Sequence, residues 1–289
     1  MRQRHRGLVV SVCLAAVVAL AAAGCGGGGS NKSSTNGAAA QFKLVRSGTL
    51  TIASDIPFPP FEFHNGKVLT GFDVTLMDAI ARNIGLRPKW VNTDFDTIFT
   101  ALATGKFDVV AAAITAYAPK GSPAYTKVQQ RRQIVAFSKP YYNSLQSLTI
   151  NAGKSPNIKS IDDLSGVRVA IQTATTGAFW AQEKLKSKGA KLVSFSKAPD
   201  MYAALEAGNV GGVINDLPVS QDAIKSKHDL KIVQQINTGE QYAFAVAPGN
   251  KSLLAALDKG LGALEKNGTY VRLFKQYFGG QKPPAYAST

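Results

Sequence analysis

Four places in the sequence put a polar or charged side chain just past a predicted β-strand: Asp55, Thr115, the pair Thr175-Thr176, and Asp216. Open α/β sheets bind ligands at the carboxyl ends of their strands. Two of these places come from each half of the chain, so halves that face each other would line one cleft with all four, a common setting for a small ligand. The segment Gln172-Thr173-Ala174-Thr175-Thr176-Gly177 runs into a predicted helix. Its backbone N–H groups and hydroxyls suit a carboxylate, which gains from the partial positive charge at a helix N-terminus. They also suit an ordinary threonine cap. Asp216 has a similar double reading, because Pro218 follows it where a helix would start. His64 and His228 stand apart from any Cys, His or carboxylate group with metal-ligand spacing, so neither metal nor cofactor is expected.

The elements that must hold these residues follow from hydrophobic periodicity. Residues 49–74 read TLTIASDIPFPPFEFHNGKVLTGFDV. A β-branched strand stops at Ser54-Asp55. Two adjacent prolines exclude a helix interior or a central strand, so Phe58, Phe61 and Glu62 sit on a stiff loop past the strand end. Asp73 is the expected N-cap of a helix carrying Val74, Met77, Ile80 and Ile84, stopped by Gly85. A strand at Trp90-Val91, a helix with Phe95, Ile98 and Leu102 inward, and a strand over 107–114 complete a β-α-β-α-β unit with right-handed crossovers. Residues 116–130, with Pro119, Gly121 and Pro123, read as a long loop. A second α/β unit has strands expected at 148–150, 167–171, 192–195, 210–214, 230–233 and 242–247, and the tail over 252–264 and 269–278 is helical.

The N-terminus carries the export signals. Arg2, Arg4 and Arg6 precede an apolar run, Leu8 to Ala23, too short for a stable span and ending in small residues. Ala22-Ala23-Gly24-Cys25 resembles a bacterial lipobox, which implies cleavage before Cys25 and lipid on Cys25. The alternative is plain secretion with cleavage near Gly24. Cys13 leaves with the signal, so the mature chain has no internal disulfide. Residues 26–40 are Gly, Ser, Asn, Thr and Ala with one Lys, the composition of a flexible tether. The net charge of +15 is spread thinly, with no dense basic run, so no nucleic-acid partner is expected.

From about residue 48 to residue 280 the chain resembles the polar amino acid family of ABC-transporter solute-binding proteins. The likeness is carried by the 49–74 stretch, Ile114-Thr115, RRQIVAFSKPYY from Arg131, QTATTG from Gln172, and VINDLP around Asp216. It implies an α/β, two-lobed, type II periplasmic-binding-protein-like fold. Each lobe would be a mixed, mostly parallel sheet flanked by helices, joined by two hinge strands near 142–145 and 241–244. The boundaries expected are 1–24 for the signal, 25–47 for the lipid-anchored linker, 48–143 with 243–289 for lobe 1, and 144–242 for lobe 2. The resemblance also implies roles. Thr176 and Arg131, with Arg132 as the alternative across the insertion, would hold the α-carboxylate of an amino acid. Asp216 would receive its ammonium. Phe58 and Phe95 would sandwich its side chain, Asp55 would face the distal end, and Gln172 would tune specificity. Thr115 lines the same cleft, whereas Ala113 supplies no hydroxyl. Ala174 replaces a glycine, which is harmless unless the position needs φ > 0.

The expected function is therefore an extracytoplasmic, lipid-anchored monomer that closes on a polar amino acid and delivers it to an ABC permease. Asp55 and the two rings favour a cationic ligand, with glutamine next; an anionic ligand would need a nearby Lys or Arg to offset Asp55. No catalytic residue is expected. The rival is an exported dehydratase of the prephenate or cyclohexadienyl type on the same fold, which needs a general acid in the cleft. Asp55 is the only spare carboxylate the sequence places there. A sensory module is disfavoured by the lack of a transmembrane and signalling segment.

Overall fold

The computed structural model describes residues 42–279. The expected signal at 1–24, the lipidation site Cys25 and most of the tether lie outside the described residues.

The first half follows the expected alternation. β1 (Thr49–Ser54) is buried along its whole length, as a central strand must be. β2 (Phe63–Asn65) and β3 (Val68–Thr70) form a hairpin. α1 (Phe72–Asn83), β4 (Arg87–Asn92), α2 (Phe95–Ala103) and β5 (Val109–Val110) then build the β-α-β-α-β unit, with β1 parallel to β4 and β5. The strand expected over 107–114 is regular only at Val109-Val110, because Ala113 adopts φ 46° and breaks the pleat. Asp73 is not the cap of α1. Gly71 takes that position, and Asp73 turns its carboxylate into the protein instead.

β6 (Thr115–Tyr117), α3 (Pro123–Arg132) and β7 (Ala136–Phe137) come next. The loop expected over 116–130 is thus largely a helix. Its breakers mark an entrance: Ser122 Oγ accepts from Tyr125 N at 3.1 Å, and Pro123 occupies the first turn, where its missing N–H costs nothing. The hydrophobic period is weak because α3 buries only Ala124, Val128 and Arg131.

The second half runs β8 (Tyr142–Asn151), β9 (Arg168–Gln172), α4 (Thr176–Lys184), β10 (Lys191–Phe195), α5 (Ala198–Ala207), β11 (Gly212–Asp216), α6 (Leu217–Ser226), β12 (Leu230–Tyr242), β13 (Ala245–Val246), α7 (Lys251–Lys266) and α8 (Thr269–Phe278). β8 and β12 far outrun the apolar segments at 148–150 and 230–233, since their antiparallel ladder continues through polar residues to Tyr142 and Tyr242.

Two large mixed sheets result. One has the order β4-β1-β5-β13-β7 and the other β10-β9-β11-β8-β12-β6. The chain passes between them before β6, before β7, before β8 and before β13; the crossing before β7 runs through α3, and the other three lie near Thr115, Tyr141-Tyr142 and Tyr242-Phe244. An aromatic cluster fills that junction. Tyr141 stacks on Phe244 with centroids 4.3 Å apart, and Phe278 of α8 lies 4.8 Å from Tyr142 and 5.1 Å from Phe72. Each such pair contributes about 0.5–1.5 kcal/mol beyond its buried area. α7 and α8 pack on α1 and close the core on this side.

Candidate functional site

The loop after β1 is closed by its own backbone. Phe58 N donates to Glu62 O at 2.7 Å and Glu62 N to Phe58 O at 3.2 Å. Asp73 N donates to Phe61 O at 3.0 Å, which binds the loop to the start of α1. Only glycine fits at residue 71 beside it: φ is 128°, and a Cβ would fall 2.0 Å from Phe61 O. Phe58 and Glu62 are thereby held against one small cavity lined by residues from both halves of the chain. All eight residues expected to bind ligand, from Asp55 to Asp216, line this cavity.

Arg131 enters from α3, 4% exposed. Its Nη1 donates to Thr115 O at 2.9 Å and its Nη2 to Ala174 O at 3.2 Å, so it reaches both halves. Its guanidinium carbon lies 5.3 Å from the Phe95 ring centre and 4.9 Å from that of Phe99. Phe95 is therefore both core and cavity wall. Burial lowers the Arg131 pKa to about 10, against the pull of Glu240 and Asp216, which leaves it cationic at neutral pH. Its Nε is buried without a partner. Arg132 points elsewhere, donating to Ala116 O at 2.9 Å and lying over Tyr117. Between the two arginines the cavity takes Arg131.

Both threonines at the start of α4 line the cavity, and Thr175 is also the helix cap, accepting from Ala178 N at 3.0 Å. Ala174 does need positive φ, at 64°, a conformation costing about 1–2 kcal/mol for a residue with a Cβ. The Thr176 hydroxyl donates to Glu240 Oε2 at 2.6 Å, and the Thr115 hydroxyl to the same oxygen at 2.5 Å. Glu240 was not expected in the site. It lies on the polar ladder of β12, where no local pattern marks it.

Asp216 caps α6 by position but makes no cap hydrogen bond. Its carboxylate accepts from Gln146 Nε2 and the Tyr242 hydroxyl. Burial and then the like charge of Glu240 raise its pKa to about 7. Asp55, 2% exposed, accepts from Gln172 Nε2 at 2.7 Å and pairs with Lys197, which also reaches Asp94 at 2.9 Å. Burial outweighs Lys197 and raises the Asp55 pKa, while the two aspartates together outweigh burial and raise that of Lys197. Lys197 is the offsetting cation that the sequence reading left open. One lysine among many scattered ones carries no signal of that role.

Asp55 is not the only spare carboxylate. Glu62 lines the cavity, fully buried, with both oxygens lacking a hydrogen-bond partner. Its place on the proline-stiffened loop was legible, its direction was not. Asp73 stands behind the wall, accepting from Ala113 N at 2.9 Å and from the Tyr141 hydroxyl at 2.6 Å. Burial raises its pKa to about 7. Among the described residues no group of three His, Cys, Asp or Glu is arranged to hold a metal, and no helix is long and apolar enough to cross a membrane.

The arrangement brings a cation, a helix N-terminus, carboxyl groups and flat rings together around one cavity. The family model for bacterial extracellular solute-binding proteins, family 3, matches residues 50–280. A probable histidine-binding protein of Campylobacter jejuni is 28% identical over 231 residues, covering 79% of this chain and 84% of its own. Among solved structures, an ancestral arginine-binding protein bound to arginine has a TM-score of 0.73 at 33% identity, covering 80% of this chain and 99% of its own. An ancestral amino acid-binding protein that is a precursor of cyclohexadienyl dehydratase reaches 0.69 at 31%, covering 80% and 96%. The two-lobed, type II α/β fold expected from the sequence is the one this chain shares with them. The chain belongs to the bacterial extracellular solute-binding proteins of family 3.

Proposed function

We propose that this chain is the lipid-anchored binding component of an amino acid ABC importer, closing on a polar amino acid between lobes at 48–143 with 243–289 and at 144–242. One observation carries the reading: the buried Arg131, with an unpaired Nε beside the start of α4, shares a cavity with Asp216. An α-amino acid has an anionic and a cationic end to satisfy both. Ligand contacts to both halves would favour the closed arrangement over the open one, which is all that hinge closure requires.

A cationic side chain is the first choice and glutamine the second. Lys197 removes the simplest argument for it, since Asp55 already has its counter-ion. The wider set of acceptors restores it: carboxyl oxygens of Asp55, Glu62, Asp216 and Glu240 stand in or just behind the wall, in surplus over the cations Arg131 and Lys197. Relatives named for histidine and arginine agree with that surplus. The dehydratase alternative gains the buried Glu62 as a candidate acid. It is disfavoured because a prephenate-like acid brings a second carboxylate and no ammonium for Asp216. Thermal unfolding in the presence of each free amino acid tests the proposal, since ligand at about 100 times its Kd stabilises by about 2.7 kcal/mol. No shift with any amino acid, together with turnover of prephenate, would replace it with the alternative.

A further inference from the structure

We infer that the end of the first sheet opposite the cavity is a docking surface for an anionic phospholipid membrane. The choice of a membrane as partner rests on the lipid-anchored reading above. The fold gathers at this end cations that the sequence scatters. Thr49 at the start of β1 is in register with Arg87 at the start of β4. Asp108 N, just before β5, donates to Thr51 O at 2.9 Å, which brings the turn at Lys106 to the same end. β13 runs antiparallel to β5, with Val246 beside Val109, so the chain leaves it here and enters α7 at Lys251. Asn250 Nδ2 donates to Lys43 O at 2.9 Å and closes the group. Lys43, Arg46, Arg87, Lys106 and Lys251 are all exposed. Among the described residues none of the five forms an ion pair.

The carboxylate of this end is already engaged: Asp108 accepts from Val45 N and Thr51 N, each at 2.7 Å. Lys251 stands in the first turn of α7, where the helix end is itself partly positive and a cation is disfavoured. An external anionic surface offsets both. Each Lys or Arg brought within a Debye length of an anionic bilayer is attracted to it, and a plane of headgroups meets five exposed side chains at once. Val45, exposed among them, suits the boundary between headgroups and acyl chains. β1 runs from this end to Ser54, beside Asp55, over about 20 Å. A protein resting on the surface therefore holds its cavity away from it. The described residues begin at Phe42, so the segment that leads back to Cys25 joins the protein at this same end. Lipid would hold the protein, and the patch would orient it.

The test is co-sedimentation of the exported Cys25→Ser protein, which carries no lipid, with vesicles at low ionic strength. One set is phosphatidylcholine alone, and the other is equal parts phosphatidylcholine and phosphatidylglycerol. This parent is expected to bind the mixed vesicles, to ignore the phosphatidylcholine ones, and to dissociate in high salt. Adding Lys106→Glu with Lys251→Glu is expected to weaken binding to the mixed vesicles by about 100-fold or more. A glutamate at residue 251 suits a helix start, which favours folding of this pair; Arg46→Glu with Arg87→Glu replaces it should it not fold. Lys186→Glu with Lys191→Glu makes the same change of net charge on exposed residues around β10 of the other sheet, and is expected to keep vesicle binding within about threefold. Amino acid binding is expected to be equal in all forms, since none of these residues lines the cavity. No binding to the mixed vesicles, equal weakening by the two pairs, or binding to soluble polyphosphate without binding to vesicles overturns the inference. The lipid-anchored reading fails separately, if the exported protein with Cys25 intact carries no lipid by mass.

Discussion

Arg131 and Arg132 are neighbours in sequence with opposite fates, and the difference is a test at the scale of one residue. Arg131 sits in the cavity wall with an unpaired Nε, whereas Arg132 lies over Tyr117 and Phe137. Arg131→Ala is expected to weaken amino acid binding by about 100-fold or more, because a charged bidentate partner is lost. Arg132→Ala should keep binding within about twofold, measured by calorimetry on both. The residues legible in the sequence, Asp55, Thr115, Gln172, Thr176 and Asp216, are chemical side chains at strand ends, where local pattern fixes position. Arg131 needed the family resemblance to be counted back across the insertion. Lys197 and Glu240 were hidden because what brings them to the site is tertiary packing, not spacing.

At the scale of elements, polarity concealed two features. The hinge strands β8 and β12 continue as ladders through polar residues, so hydrophobic alternation sees only their ends. α3 was hidden by Pro119, Gly121 and Pro123, although Ser122-Pro123 is also a helix start. α3 carries Arg131 and packs on α4. Ser122→Ala removes its cap and is expected to cost about 1 kcal/mol of stability, read as a lower denaturant midpoint. An unchanged midpoint would show that α3 is held by its packing alone. Gly71→Ala is the sharper case. It strains the backbone and drives a Cβ into Phe61 O, so a loss of about 3 kcal/mol or more is expected.

At the scale of the whole molecule, buried carboxyls tie stability to pH. Asp73 and Asp216 are raised from 3.8 to about 7, burial being the first cause. An acid with a higher pKa folded than unfolded keeps its proton in the native state between those values. The native state then binds more protons, and stability falls as pH rises through that interval. The ligand-free protein should therefore lose melting temperature as pH climbs toward 7, and Asp73→Asn should flatten the slope; a slope unaffected by the substitution would place the proton elsewhere. Attachment to the membrane is proposed from Cys25 and the tether, and Cys25→Ser should release the protein from the membrane fraction. The central claim is that the cavity takes an amino acid by both of its charged ends. Calorimetric titration of wild type and Arg131→Ala with arginine, glutamine and glutamate tests it most directly. The account predicts that wild type binds arginine most tightly and that Arg131→Ala binds each of the three about 100-fold more weakly than wild type or worse; binding to Arg131→Ala equal to that of wild type would contradict it.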